Sequence, residues 1–334
     1  MDTLTDRASG VTPPFEERWP WFGGDLQTLR NFLRRPRIDL SEFATERIDL
    51  ALEGPPGDRT TAALQWPRER QRRPLAVLIH GLTGSEDSAY MRATSDALLR
   101  AGYPVLRLNQ RGAGPSRLLC RERYHAGRSE DIAQAIAGLP ERAAALGIVA
   151  VGFSLGGNVL LKYLGERGRE TPVRAAAAIS APLDLAATCR KMMAPRNAFY
   201  HRFFLSELRA EALAAGRSLA PEERRAILSA RDIREFDERV TAPRNGFAGA
   251  EDYYRRCSAA NYVEAVEVPT LLVQSEDDPI VPAEPFRARE WRRNPQLAPL
   301  LLARGGHVGF HDRRGWIWHD RAILRFFERA LSPS

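Results

Sequence analysis

A serine between two glycines carries the strongest chemical signal in the sequence. Ser154 lies in Gly152-Phe-Ser-Leu-Gly156, which follows an apolar run rich in β-branched residues and precedes an apolar helical pattern. Such a strand-to-helix turn holds the serine hydroxyl clear of the sheet and leaves no room for a Cβ atom at Gly152 or Gly156. The spacing therefore predicts that Ser154 is a nucleophile.

A nucleophilic serine needs a general base, and the sequence contains six histidines. In enzymes with this kind of turn the chain order is nucleophile, acid and then histidine, so the base is expected after the last core strand. His307 fits this order, because Gly305-Gly306 precedes it and lets its loop carry the imidazole inward. His311 and His319 continue into helical sequence, and we expect them to be surface or core residues.

The acid that orients the histidine is expected after the preceding strand, where three carboxylates occur together in Glu276-Asp277-Asp278. A buried carboxylate holds the imidazole in the required tautomer and stabilises its protonated form. We assign this role to Asp278, beside Pro279, and keep Asp277 as the alternative. Asp184 is a third candidate, although its position before a helical run is typical of a helix N-cap.

Two backbone N–H groups are predicted to hold the oxyanion that forms when the serine attacks. One belongs to Leu155, at the start of the helix after the elbow, where the helix dipole also favours negative charge. The other is expected from the loop His80-Gly-Leu-Thr-Gly84, and we assign it to Leu82. His80 is then a structural residue that fixes this loop and is not the base.

Apolar runs that alternate with helical segments must position these residues. From Leu75 onward the alternation is typical of βαβ units and a parallel sheet with helices on both faces. Before it, strand candidates at 46–52 and 60–66 flank a turn-rich segment and predict a hairpin. A helix is expected over about residues 88–101. The predicted core strands are Leu75 to Ile79, Pro104 to Leu108, Ile148 to Val151, Val173 to Ile179, Thr270 to Val273 and Leu300 to Ala303.

The same alternation sets the predicted domain boundaries. Residues 46–183 and 263–334 form an α/β core, and residues 1–45 form an N-terminal arm packed on it. Between 184 and 262 the alternation lapses into helices with an aromatic face, which predicts a helical cap inserted over a pocket. The alternatives are that these helices have no substrate role, and that the aromatic cluster of the arm (19–22) lines an acyl site.

A glycine-rich loop follows the second core strand. Residues 109–116 lack the Gly-Lys-Ser/Thr ending of a phosphate-binding loop and the helix start of a dinucleotide fingerprint. We therefore interpret this segment as a tight loop that flanks the pocket.

Composition excludes several classes of function. The chain has 334 residues, 44% of them hydrophobic, and a formal net charge of +7. Its only lysines are Lys162 and Lys191, so the basicity comes from arginines interspersed with glutamates, a pattern typical of a solvated surface. We expect no nucleic-acid partner, while peripheral contact with lipid stays an open alternative.

The three cysteines are isolated and lack C-x-x-C spacing, which indicates neither a disulfide framework nor a zinc site. The N-terminus is polar and has no apolar signal region, and no apolar stretch reaches the roughly 18 residues of a membrane span. We therefore expect a cytoplasmic protein that holds no metal.

Taken together, the motifs resemble those of the α/β-hydrolase superfamily and, more narrowly, its YheT-like group (the α/β-hydrolase-4 family). The resemblance implies an α/β-hydrolase fold, a triad of Ser154, Asp278 and His307, a mechanism without a cofactor, and carboxylic esters, often lipid-like, as substrates. Family members also include acyltransferases that use alcohols. The resemblance covers nearly the whole chain and rests on Gly24-Asp-Leu-Gln-Thr-Leu29, His80-Gly-Leu-Thr-Gly84, Asn109-Gln-Arg-Gly-Ala-Gly114, Gly152-Phe-Ser-Leu-Gly-Gly-Asn158, Glu276-Asp-Asp-Pro279 and Gly305-Gly-His-Val-Gly-Phe310.

The residues and the resemblance agree on a serine hydrolase that cleaves small-molecule carboxylic esters through an acyl-enzyme. An apolar cap favours medium-chain or lipid-like acyl groups, because it buries the chain. One alternative is an acyltransferase that passes the acyl group to an alcohol with the same triad. Another is a catalytically idle binding protein with this fold.

Overall fold

A single mixed sheet forms the centre of the protein in the computed structural model, which describes residues 14–34, 38–69, 71–214 and 219–332. Residues 1–13 of the predicted arm lie outside the described part. The strands are β1 (Thr45–Ala51), β2 (Arg59–Gln65), β3 (Leu75–Ile79), β4 (Val105–Leu108), β5 (Ile148–Phe153), β6 (Val173–Ile179), β7 (Thr270–Ser275) and β8 (Leu297–Leu302).

The strand order in this eight-stranded sheet is β1-β2-β4-β3-β5-β6-β7-β8. The predicted hairpin is present, because β1 and β2 pair antiparallel, and β2 continues antiparallel to β4. All other neighbours are parallel. The carboxyl ends of β3, β5, β6, β7 and β8 therefore meet at one edge, where loops from different parts of the chain come together.

Helices follow most of the parallel strands, as the alternating pattern predicts. The longer helices are α1 (Gly23–Arg34), α2 (Ala89–Arg100), α3 (Ser129–Ala137), α4 (Leu155–Arg167), α5 (Leu185–Met192), α6 (Ala198–Leu213), α7 (Pro221–Ser229), α8 (Ala250–Cys257) and α9 (Trp318–Leu331). Short helical segments cover Glu141–Ala144, Ile233–Phe236, Ala242–Arg244 and Glu284–Arg287, and a π-helix covers Asp237–Thr241.

The hydrophobic core has two layers, one on each face of the sheet. Alternate residues of β3 divide between them, so that Val77 packs with α3 and α4 while Leu78 packs with α2 and α9. Every residue of β3 and β5 is buried. Strands covered on both faces read as continuous apolar runs, which is why they are legible in the sequence.

The last strand begins earlier than predicted. β8 starts at Leu297, three residues before the expected start at Leu300, and it contains Pro299. Proline has no N–H to donate, but β8 is an edge strand that pairs only with β7 among the described residues. The missing donor therefore breaks no ladder on the outer side, and the strand continues through the proline.

Residues 185–214 and 219–257 form a helical layer with its own apolar cluster. This cluster joins residues of α5, α6 and α8 to Leu155 at the elbow and to Ile280 after β7. Its buried aromatic members include Tyr200, Tyr253 and Tyr254. The layer therefore contacts the core at the carboxyl edge of the sheet, beside the predicted nucleophile.

Across the described ranges, no helix combines the length and the apolar character that crossing a membrane requires. The cysteines Cys120, Cys189 and Cys257 are buried free thiols.

Candidate active site

Ser154 occupies a strained turn between β5 and α4. Its backbone has φ 51° and ψ −123°, a conformation that residues other than glycine rarely adopt. The turn is possible because two glycines let the chain pass closely. A Cβ atom at Gly152 would lie 2.5 Å from the Gly156 carbonyl oxygen, and one at Gly156 would lie 2.4 Å from the His80 carbonyl oxygen. The elbow geometry predicted from the sequence is present.

The structure brings His307 to this serine from the other end of the chain. The Nε2 atom of His307 lies 2.9 Å from Ser154 Oγ. His307 follows β8 in the loop that Gly305 and Gly306 open, and both glycines have positive φ values. A neutral imidazole with its proton on Nδ1 can accept the serine proton at Nε2.

Asp278 occupies the other side of the imidazole. Its Oδ2 atom lies 2.8 Å from His307 Nδ1, and its side chain is buried. The Oδ1 atom accepts hydrogen bonds of 2.8 Å from the N–H groups of Ile280 and Val281. These two donors fix the carboxylate and leave Oδ2 to hold the Nδ1 proton, which exposes the Nε2 lone pair to the serine.

The two other carboxylates considered for this position have different partners. Asp277 Oδ1 accepts a 2.9 Å hydrogen bond from the Gly306 N–H, so Asp277 supports the loop and does not contact the imidazole. Asp184 is the N-cap of α5, where its side chain accepts a 2.9 Å bond from the Ala187 N–H. The structure therefore brings only Asp278 of these three described residues against His307.

His80 lies in the loop after β3 and is completely buried. Its Nδ1 donates to the Gly81 carbonyl oxygen at 2.8 Å, and its Nε2 accepts from the Gln110 N–H at 3.0 Å. Burial lowers the pKa of this imidazole to about 4, which keeps it neutral. His80 thus fixes two loops to each other, in the manner that the sequence predicts.

The glycine-rich loop 109–116, which was predicted to flank the pocket, packs against the loop that contains His80. Gln110 holds His80 from behind, and Arg111 is a buried cation paired with Asp58 at 2.9 Å and Asp131 at 2.6 Å. None of its residues appears among the described residues that line the two cavities at Ser154. A buried arginine needs paired carboxylates, and these ion pairs fix the loop in the core. The loop in turn holds His80 in place through Gln110.

Leu82 and Leu155, whose backbone N–H groups are the predicted oxyanion donors, line a cavity at Ser154. Within the described ranges neither group has a protein acceptor, so both stay available. The loop lies close to the nucleophile, because a Cβ atom at Gly81 would be 3.0 Å from the Ser154 Cβ. Tyr90 fixes this loop, since its hydroxyl oxygen accepts a 2.9 Å bond from the Gly81 N–H.

Helix α1 of the arm holds the loop that carries His307. The Thr28 hydroxyl accepts a 2.8 Å bond from the His307 N–H and donates to the Gly24 carbonyl oxygen at 2.6 Å. The buried Gln27 accepts from the His311 N–H at 2.7 Å and donates to the His311 carbonyl oxygen at 3.2 Å. The motif that contains Gln27 and Thr28 is recognisable in the sequence, but it indicates no role for either residue, because their partners lie nearly the whole chain away.

Two cavities meet at Ser154. The first, the cap cavity, has a volume of about 100 Å³ and reaches from Ser154 and Leu155 to residues of the segment 185–254. The second, the arm cavity, has a volume of about 180 Å³ and is bordered by α1, α6 and His307. Phe204 lines both cavities, and Phe203 lines only the arm cavity.

Comparison with known proteins identifies the fold family. A family model described as alpha/beta hydrolase fold matches residues 74–313, which is more than half of the chain. The chain belongs to the α/β-hydrolase family. The match spans the elbow, both loops that flank it and the segment from Asp278 to His307.

Individual relatives of this α/β-hydrolase narrow the assignment. YheT of Escherichia coli (strain K12) is 34% identical over 291 residues, covering 85% of this chain and 83% of its own length. The resemblance to the YheT-like group is thereby confirmed. A yeast protein of Saccharomyces cerevisiae, named medium-chain fatty acid ethyl ester synthase/esterase 2, is 31% identical over 77% of this chain and 62% of its own length.

Solved structures share the fold of this α/β-hydrolase at lower identity. The esterase Pf2001 of Pyrococcus furiosus superposes with a TM-score of 0.57 and 18% identity, covering 96% of this chain and 97% of that one. At this identity the likeness establishes the fold alone.

Proposed function

We propose that this α/β-hydrolase cleaves carboxylic esters through a covalent acyl-enzyme formed on Ser154. The observation that carries the proposal is the continuous chain of short contacts from Ser154 Oγ through His307 to Asp278, at 2.9 Å and 2.8 Å. A serine, an imidazole and a buried carboxylate in this order are the parts of a nucleophilic triad. The name of the yeast relative, which includes esterase, agrees with this chemistry.

In the acylation half, Ser154 Oγ attacks the ester carbonyl carbon while His307 Nε2 takes the serine proton. The carbonyl π electrons move to its oxygen, and the N–H groups of Leu82 and Leu155 stabilise that oxyanion. When the tetrahedral intermediate collapses, the bond from carbon to the alcohol oxygen breaks, and His307 gives the proton to the leaving alcohol. Asp278 stays ionised throughout and stabilises the imidazolium.

In the deacylation half, water replaces the alcohol. His307 takes one proton from the water as its oxygen attacks the acyl carbon, and a second oxyanion forms in the same position. Collapse breaks the bond to Ser154 Oγ, which recovers its proton from His307, and the carboxylic acid leaves. The cycle consumes one ester and one water and needs no cofactor.

We further propose that residues 184–262 act as a cap over the site, that residues 1–45 act as the arm, and that 46–183 with 263–334 form the core. The cap cavity, which is lined mainly by apolar side chains, then receives the acyl chain. Each methylene buried there contributes roughly 0.8 kcal/mol, so kcat/KM rises about three- to fourfold per carbon until the cavity is full. Medium acyl chains are therefore preferred over acetyl.

Acyl transfer to an alcohol is the second candidate. The name of the yeast relative also contains ester synthase, and transfer uses the same residues with an alcohol in place of water. Product analysis with added ethanol separates the two activities, because transfer yields an ethyl ester and hydrolysis yields the free acid. Hydrolysis predicts that the free acid dominates at low ethanol concentration.

The direct experiment is active-site labelling with a fluorophosphonate, followed by assay of chromogenic esters. We expect one label on Ser154, and Ser154→Ala should lose the label and lower kcat by on the order of 10⁴ to 10⁶ with folding intact. Absence of labelling in the wild-type protein, or an active Ser154→Ala protein, would contradict the proposal. The first result would instead favour a binding protein without catalytic activity.

A further inference from the structure

One acidic side chain interrupts the apolar wall of the cap cavity. Most of the lining is aliphatic or aromatic, and its apolar members include Leu155, Leu185, Met192, Leu208, Ile233 and Ile280. Among the described residues that line the cavity, Asp237 carries the only carboxyl group. This residue begins the π-helix Asp237–Thr241, and Thr241 at its end lines the same cavity. Single turns of π-helix occur frequently at functional sites.

The partners of Asp237 are hydroxyl groups. The Tyr254 hydroxyl donates a 2.7 Å bond to Asp237 Oδ2, and the Thr241 hydroxyl is a second partner. Across the described ranges, Asp237 forms no ion pair with any lysine, arginine or histidine. Burial raises the pKa of this carboxyl to about 6. A carboxylate has about four acceptor positions, so two hydroxyl donors leave capacity for another donor.

Among the described residues that line the cavity, no polar group other than Tyr254 and Thr241 forms a hydrogen bond with Asp237. The Tyr253 hydroxyl accepts a 2.9 Å bond from the Ala126 N–H, and the Tyr124 hydroxyl accepts a 2.7 Å bond from the Thr83 N–H. His125 also lines the cavity, and burial together with the nearby Arg128 and Lys162 lowers its pKa to about 3. It is therefore an uncharged neighbour and gives Asp237 no compensating positive charge.

A carboxyl group without a counter-ion is an expensive component of an apolar wall. Asp237 is partly buried, so an acyl chain that fills the cavity and displaces water would leave its carboxylate with an unfilled acceptor position, which costs free energy; an aliphatic side chain would serve a plain hydrocarbon chain better. A ligand that brings a hydroxyl group to this point would fill the position. It would also keep its hydrocarbon part against the aliphatic wall.

We propose that Asp237 is a specificity-determining residue that binds a hydroxyl group on the acyl chain of the substrate. This proposal rests on the proposed function, since it assumes that the chain is attached to Ser154 in the cap cavity. The preferred substrates are then esters of hydroxylated fatty acids whose hydroxyl lies at a fixed number of carbons from the carbonyl. A hydroxyl fits better than an ammonium group, because the mostly apolar lining would desolvate a cation at high cost.

The experiment compares matched chromogenic esters over a series of acyl lengths, with and without a terminal hydroxyl. In the wild-type protein we expect the hydroxyl to raise kcat/KM about tenfold at one acyl length. The reason is that a hydrogen bond to a charged group is stronger than one between neutral groups. Asp237→Leu should abolish this advantage and retain or improve hydrolysis of the unsubstituted esters. Asp237→Asn, which keeps the shape and one acceptor, should retain part of the advantage.

Controls separate this proposal from the others. Glu222→Gln changes an exposed carboxylate of α7 outside both cavities. It should leave unchanged the ratio of kcat/KM for the hydroxylated ester to kcat/KM for the unsubstituted ester. Fluorophosphonate labelling of each variant reports whether Ser154 and its surroundings are intact. If Asp237 only ties the π-helix to Tyr254, Asp237→Leu lowers stability without changing the ratio, and the proposal is overturned.

Two further outcomes would overturn the proposal while leaving ester hydrolysis intact. One is a wild-type protein that favours the unsubstituted ester at every length. The other is a larger gain from a terminal ammonium than from a hydroxyl, which would assign the carboxylate to a cationic acyl group. If the wild-type protein neither hydrolyses any of the esters nor reacts with the fluorophosphonate, the function on which the proposal rests is refuted.

Discussion

The main-chain N–H of His307 lies 2.8 Å from the hydroxyl oxygen of Thr28, a residue 279 positions earlier in the chain. This hydrogen bond joins the N-terminal arm to the loop that carries the proposed general base. The contact between Gly24 and the acid loop reinforces it, because a Cβ atom at Gly24 would lie 1.8 Å from the Asp277 carbonyl oxygen. The arm is therefore part of the framework that orients the imidazole.

Thr28→Val should lower kcat more than it changes KM. The substitution keeps the side-chain shape but removes the acceptor of the His307 N–H, so the imidazole loses part of its fixed orientation. We expect a loss of about tenfold in kcat on chromogenic esters. Thr28→Ser keeps the hydroxyl and should stay close to wild type. Equal activity of the valine and serine variants would show that the arm only adds stability.

Asp278→Asn and Asp277→Asn should differ sharply in activity. An amide at 278 can donate to His307 Nδ1 and stabilise the wrong tautomer, so we expect kcat to fall on the order of 10⁴. Asp277 accepts from the Gly306 N–H, and Asn retains an acceptor there, so its variant should keep most of its activity. Steady-state kinetics on one ester checks the ranking, and the reverse order would transfer the acid role to Asp277.

Patterns confined to neighbouring residues were readable in the sequence. The five residues of β3 were predicted at their observed bounds, because a doubly covered strand is continuously apolar. The elbow at Ser154 was also predictable from neighbouring residues, since its glycines lie within two positions of the serine. Residues such as Thr28 and Asp237 gave no comparable signal. His307, the partner of Thr28, lies 279 positions away, and Asp237 lines a cavity that includes Leu155 from a distant part of the chain. A threonine or an aspartate on a helix is most often a surface residue.

Phe203→Ala and Phe204→Ala should affect different parts of the ester. Phe204 lines both cavities, so its removal should flatten the rise of kcat/KM with acyl length. With the acyl chain in the cap cavity, the arm cavity is left to the alcohol part of the ester. Phe203 lines the arm cavity and contacts Phe32 with ring centroids 5.7 Å apart, so its removal should mainly weaken selection among alcohol groups. Two ester series, varied in the acyl or the alcohol part, measure this. A profile that neither variant alters would indicate that the helices have no substrate role.

Acid should destabilise the protein through its buried histidines. His319 is completely buried between Phe153 and Phe310, and burial lowers its pKa from 6.5 to about 3. The unfolded chain therefore binds the proton first, and the contribution of His319 to stability is complete above pH 6.5 and declines as the pH falls toward 3. Urea unfolding across this interval should show a smaller loss for His319→Phe than for wild type.

The neighbour of His319 responds in the opposite direction. Burial raises the pKa of Asp320 from 3.8 to about 7, so its contribution is complete below pH 3.8 and is lost as the pH rises from there to about 7. Because this interval overlaps that of His319, the histidine contribution is read from the difference between wild type and His319→Phe at each pH, since both proteins contain Asp320. An identical acid-induced loss in both proteins would contradict the assignment to His319.

At Ser154 the residue that the proposed reaction requires differs from the residue that the left-handed backbone favours. Holding a residue with a Cβ atom at φ 51° and ψ −123° costs on the order of 1–3 kcal/mol, and glycine alone adopts such angles freely. The least strained residue for the elbow is thus one that cannot catalyse.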